Sequence, residues 1–178
     1  MKYDSEKLSK LGKQIYEIAC AHGWHDKELT AYHFLCLVMT EVAEAVEADR
    51  KGIRANVAGF EKCIGIEYKQ RFKDYIKNSI EDEFADIVIR LPDMAVTLYG
   101  VNVNLERYHI RFREGLTFSE NAWYFTKEIL NCGTMNIGDS IAYMYSWADF
   151  LGIDLDRHIE LKMEYNATRS YKHGGKKY

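Results

Sequence analysis

The chain reads as an all-α protein of 178 residues, on three observations. Apolar residues recur at i, i+3, i+4 and i+7 over long stretches, the period of an amphipathic helix. Proline occurs once, at Pro92, so helix interiors are rarely interrupted. No stretch carries the strict apolar–polar alternation of a half-buried strand.

The first stripe is Leu8, Leu11, Ile15, Ile18 and Ala19, which stops at Gly23, a residue suited to a left-handed cap. A second runs through Ala31, Phe34, Leu35, Val38, Val42, Ala45 and Val46 and ends before Gly52. Residues 53–75 are less regular, with Gly59, Gly65 and mixed charge, and read as a short helix plus loops. The third stripe, Ile80, Phe84, Ile87, Val88, Leu91, Ala95 and Leu98, ends at Gly100. Pro92 lies inside it, removes a bond to the Val88 carbonyl and is expected to interrupt and kink that helix. Further helical patterns fall around 104–115, 117–131, 137–151 and 155–168. The segments around Gly100 and Gly152 echo each other, each a helix stop leading into Leu-acid-Arg, which two similar turns explain as well as a duplication does. Trp123, Tyr124, Phe125, Tyr143, Tyr145 and Trp147 are expected to pack a helical hairpin rather than to form a base-stacking platform.

A chain of this length with 47% hydrophobic residues supports one well-buried domain, 1–178. Its net charge of −3 gives no overall basic footprint for nucleic acid. Cys20, Cys36, Cys63 and Cys132 are scattered, without metal-ligand spacing. Cys20 and Cys36 are expected to be reduced and buried, which suits the cytoplasm. The start of the chain lacks the apolar core of a signal peptide, and no apolar run approaches the roughly 20 residues of a membrane span.

Two acidic couplets carry the chemistry. Glu41 and Glu44 on the second helix, and Glu83 and Asp86 on the third, each share a helical face. If both faces turn inward, four carboxylates converge and need a cation; oxygen-only ligands suit a hard ion, Mg²⁺ or Mn²⁺. Glu41 falls inside the apolar arc of its helix, where a carboxylate is costly unless paired, protonated or metal-bound. Taken alone it reads equally well as half of a buried ion pair with Arg or Lys. Glu83 lies at the margin of its arc and Asp86 further out, with Arg90 four residues on as an ordinary partner. Glu81 and Asp82 add negative charge without obvious compensation. Near the C-terminus, Lys162, Asn166 and Arg169 share one face and suit a polyphosphate beside a carboxylate-bound metal. The tail beyond them, with Lys172, His173, Lys176 and Lys177, reads as frayed and solvated. His33 reads as a packing residue.

Three segments in this order, Glu41–Gly52, Glu83–Arg90 and Glu160–Arg169, resemble the MazG-like nucleoside triphosphate pyrophosphohydrolases of the all-α NTP pyrophosphatase group, which also contains the dimeric dUTPases. The similarity covers roughly residues 5–100 and 147–178, with about 101–146 standing as an inserted helical hairpin. It implies a helical bundle, often a homo-oligomer (dimer or tetramer), that cleaves an NTP or dNTP to monophosphate and pyrophosphate. It also implies Mg²⁺ held by Glu41, Glu44, Glu83 and Asp86, with Lys162 and Asn166 near the phosphates or base and Arg169 following. Trp24 stands where relatives often carry an aromatic residue near the nucleotide. Glu41 or Glu44 is the candidate for handling the attacking water. The competing reading is a helical nucleotide-sensing or protein-interaction module without turnover. A carboxylate-bridged di-iron bundle would need histidines three residues after Glu44 and Glu83, and they are missing. P-loop chemistry lacks its Gly-x-x-x-x-Gly-Lys loop.

Overall fold

The computed structural model describes residues 5–100, 112–132, 137–175 and 177. All of its regular structure is helical: α1 (Ser5–Ala21), α2 (Ala31–Lys51), α3 (Val57–Lys62), α4 (Tyr68–Tyr75), α5 (Ile80–Tyr99), α6 (Phe118–Cys132), α7 (Ile137–Phe150), α8 (Leu155–Ala167) and a single turn, α9 (Lys172–Gly175). No helix among the described residues is long and apolar enough to cross a membrane.

The boundaries follow local chemistry. Thr30 caps α2 by accepting the His33 N–H, and Ser79 caps α5 by accepting the Asp82 N–H at 3.2 Å. Asp154 does the same for α8 through the Arg157 N–H. Gly52, Gly100 and Gly152 all take the left-handed conformation, so the two echoed segments do share a helix stop.

α5 is the hub. It lies against α1, α2, α7 and α8, and both its apolar stripe and its first turn are buried. Phe34, Val38, Phe84, Val88, Leu91 and Trp147 belong to the main core. A smaller core joins Phe60, Phe72 and Ile76 to Leu161 and Tyr165 of α8, with the Phe72 and Tyr165 rings stacked at 4.3 Å. The irregular region therefore holds two short helices, α3 and α4, rather than one, and they fasten α8 beside the start of α5.

Several expectations change. α5 continues through Pro92, whose ring is buried against α1 where Gly12 permits close approach; a Cβ on Gly12 would meet the Pro92 Cβ at 3.3 Å. The expected helix around 104–115 lies mostly outside the described residues, and 112–117 form a turn rather than helix. Cys20 and Cys36 are exposed, not buried. At ~100° per residue each projects off the apolar arc of its helix, one step past Ala19 and two past Phe34. Phe125, Tyr143 and Trp147 pack as expected, but Trp123 is 69% exposed.

Candidate functional site

The closing of α2 onto α5 brings one acid of the first couplet to both acids of the second. Carboxylate oxygens of Glu41, Glu83 and Asp86 lie within 4.8 Å of one another. Glu41 and Glu83 are buried and Asp86 is half-buried. Glu44 is exposed and is not part of this group of three; it shares the face of Glu41 one turn on but lies at the solvent-facing edge of the apolar arc, and it lines the adjoining cleft.

Each couplet meets a base from elsewhere. Arg90 donates to Glu41 Oε1 through Nε at 2.7 Å and through a terminal nitrogen as well. Lys162 of α8, 3% exposed, places Nζ 2.6 Å from Asp82 Oδ1 and 2.5 Å from Asp86 Oδ2. The expected Asp86–Arg90 pair is thus replaced: tertiary contacts between buried groups prevail over a solvent-exposed i,i+4 contact. Glu81 and Asp82, expected to lack compensation, have it. Glu81 accepts from Arg54 Nε at 2.5 Å and from the Ala55 N–H at 2.9 Å. Asp82 adds the Asn78 N–H at 3.0 Å to its lysine.

Charge nevertheless remains unbalanced around Glu83. Four carboxylates (Glu41, Asp82, Glu83, Asp86) share two paired cations, Arg90 and Lys162. Glu83, 2% exposed, makes no salt bridge with any described residue. Burial, then Asp82 and Asp86, push its carboxyl up to about 9. Burial and Asp86 also raise Glu41, against the pull of Arg90. Burial alone would lower the Lys162 ammonium, but Asp86 and Asp82 outweigh it and hold it above its ordinary range.

A cleft of about 250 Å³ runs from Glu41 and Asp86 toward the α1–α2 loop. Lys162, Asn166 and Arg169 line it together, as their shared face predicts. Asn166 Oδ1 is buried with no hydrogen-bond partner. The Arg169 guanidinium lies over the Tyr165 ring, 5.6 Å from its centroid, and forms no ion pair with a described residue. Trp24 lines the same cleft, edge-on to His173 at 4.8 Å. His33, expected only to pack, is half-buried on the cleft wall.

Residues 169–173 are docked over the α1–α2 loop instead of frayed, and Lys176 of the expected tail lies outside the described residues. Lys172 donates its backbone N–H to the His22 carbonyl at 2.9 Å, and its ammonium lies 3.3 Å from Asp26, which also accepts from the Tyr171 hydroxyl. His22 faces two carbonyl oxygens, Ile18 through Nδ1 and Arg169 through Nε2, each at 2.8 Å. Carbonyls only accept, so both bonds form together when the ring carries both protons. Gly23 admits the strap: its φ is +76°, and a Cβ there would stand 2.3 Å from the Tyr171 ring.

Sequence reading named Arg90 and Asp82 without their partners, Glu41 and Lys162, and missed the pair His25–Asp93 (2.8 Å). The available signal was the polar row Asp86, Arg90, Asp93, Thr97 at i, i+4, i+7 and i+11 of an otherwise apolar helix. No family model, curated protein or solved structure matches the chain. Fold and site together define an all-α protein with a buried acidic centre opening on a cation-lined cleft.

Proposed function

We propose that this protein is a metal-dependent nucleoside triphosphate pyrophosphohydrolase of the MazG-like kind, releasing a nucleoside monophosphate and pyrophosphate. The observation that carries the reading is the meeting of Glu41, Glu83 and Asp86 within 4.8 Å in a setting with more buried acids than cations. The donor set is all oxygen and its surplus charge is negative, which fits Mg²⁺ or Mn²⁺. Glu41, Glu83 and Asp86 would hold the ion, which supplies Lewis-acid polarisation of phosphoryl oxygens and an acidified water.

The chain's own residues divide the remaining work. Lys162 and Arg90 hold Asp86 and Glu41 in place, so Lys162 serves as an anchor of the acids more than as a phosphate clamp. Arg169, a cleft cation without an ion pair to a described residue, is available for the polyphosphate, and Asn166 offers its side-chain amide within the same cleft. Glu44, exposed and lining the cleft, would receive the proton of the attacking water. The water oxygen bonds to the α-phosphorus, the bond to the β-phosphate bridging oxygen breaks, and pyrophosphate departs with that electron pair. Cytoplasmic residence and assembly as a homo-oligomer belong to the same proposal.

One observation favours the second reading, a nucleotide-sensing module without turnover: Glu41 and Asp86 each already hold a basic partner. An NTP and dNTP panel with Mg²⁺, scored for equimolar monophosphate and pyrophosphate, separates the two. The hydrolase reading expects turnover that falls at least a hundredfold in Glu83→Gln and Asp86→Asn with the helical circular dichroism intact, an acid ligand being needed in the transition state. Nucleotide binding without product would establish the sensor instead.

A further inference from the structure

The cleft has a second polar feature, remote from the acidic centre. The His25 side chain is 8% exposed, lines the cleft, and sits between two rings, Tyr16 stacked at 5.0 Å and Phe34 at 6.2 Å. Its Nε2 is 2.8 Å from Asp93 Oδ1, with the Thr97 hydroxyl 3.5 Å from the same nitrogen. A carboxylate can only accept, so in the neutral ring Nε2 carries the proton and Nδ1 the lone pair. Nδ1 is buried and has no hydrogen-bond partner among the described residues. A buried acceptor left unmade carries a cost, and such groups in native proteins call for a ligand, water or ion that satisfies them.

The surroundings specify which ligand. Besides its polar groups the cleft is lined by Ile15, Ala19, Phe34, Leu37 and Ile89, apolar surface of the kind on which a flat ring packs. Asp86 and Asp93 lie on one face of α5, about 10 Å apart along its axis at 1.5 Å per residue. An ion-bound phosphate at one end therefore leaves a sugar's length before the ring at the other.

We propose that the His25–Asp93 pair reads the base of a nucleotide: Asp93 fixes the tautomer, and Nδ1 accepts a hydrogen bond from a ring N–H or exocyclic amino group of a base packed on that apolar surface. The inference rests on the nucleotide reading of the cleft, and it makes His25 a specificity determinant outside the acidic centre. A base that presents only acceptors to Nδ1 is rejected, because two lone pairs would face each other without water between them.

The test uses the full chain with Mg²⁺ and five probes: adenosine, guanosine, cytidine, uridine and inorganic pyrophosphate. In wild type, the ¹⁵N resonance of His25 Nδ1 is expected at the unprotonated position and to move on adding the preferred nucleoside. His25→Phe keeps a ring between Tyr16 and Phe34; it should lose about tenfold to a hundredfold in affinity for that nucleoside and level the four bases, with pyrophosphate affinity unchanged. Asp93→Asn should level the bases in the same direction. An Nδ1 signal indifferent to all four nucleosides overturns the inference, and so does equal loss of nucleoside and pyrophosphate binding in His25→Phe. The spectrum needs no variant, so a folding failure leaves it decisive. Base-dependent Nδ1 shifts without NTP turnover would sustain this inference and defeat the hydrolase; turnover with a silent Nδ1 would do the reverse.

Discussion

Arg90 of α5 reaches across to α2 and holds Glu41 Oε1 through two nitrogens, Nε at 2.7 Å. Glu41 is buried and a third of the arginine side chain is exposed. Removing the base leaves an uncompensated buried carboxylate. Arg90→Gln is expected to cost roughly 2–4 kcal/mol, less than a fully buried pair because solvent screens the exposed part. A divalent ion at the acidic centre would take over that compensation. Thermal melts should then show Mg²⁺ raising the Tm of Arg90→Gln more than that of wild type, and an equal or smaller rise contradicts the proposed metal centre.

Glu83 gives the pH dependence a definite sign. Burial first, then Asp82 and Asp86, raise its carboxyl from 4.5 to about 9. A raised folded value means a contribution that is complete below about pH 4.5 and is lost as pH climbs through about 9. The ion-free protein should therefore lose stability as pH rises from about 4.5 to about 9, and Glu83→Gln should flatten that slope. Mg²⁺ needs the ionised carboxylate, so binding should release a proton and tighten with pH. Titration calorimetry in buffers of different ionisation enthalpy measures the release directly; zero release would contradict the assignment of Glu83 as a ligand.

Gly23 and Tyr171 test the strap. Any side chain at Gly23 suffers both its φ of +76° and the ring 2.3 Å from the added Cβ. Gly23→Ala should undock the C-terminal segment, expose it to protease and shift the Trp24 emission as its contact with His173 is lost. Stability should fall by about 1–2 kcal/mol. Unchanged proteolysis at the C-terminus would show that the strap is held elsewhere.

Trp147 and Trp123 make a matched pair, one buried and one exposed. Trp147 is 2% exposed and packs on Phe84 at 4.8 Å and Phe118 at 4.6 Å. Trp147→Ala is expected to cost about 3–5 kcal/mol. Trp123, out in solvent, should tolerate alanine within about 0.5 kcal/mol. Denaturant titration of both variants decides it, and comparable losses would refute the burial difference.

Much of the fold was legible along the chain, for a local reason. Apolar spacing and Gly52, Gly100 and Gly152 as stops act within a few residues, so α1, α2, α5, α7 and α8 end close to where their patterns end. Pro92 misled because its cost depends on surroundings: burial against Gly12 favours a helix that continues. Half of the candidate site was also legible. Glu41, Glu83 and Asp86 converge, and Lys162, Asn166 and Arg169 line one cleft. Glu44 does not join them: it shares the face of Glu41 but sits at the exposed edge of the apolar arc.

What the amino-acid order determined by itself was an all-α chain with two acidic faces and a basic face, because helical period and side-chain type are properties of neighbours. Which acid meets which base was decided only by the tertiary structure. Glu41 took Arg90, Asp82 and Asp86 shared Lys162, and Glu83 was left without a cation. Coulomb energy depends on distance through space and on burial, and residues 49 or 80 positions apart acquire both only when the helices close.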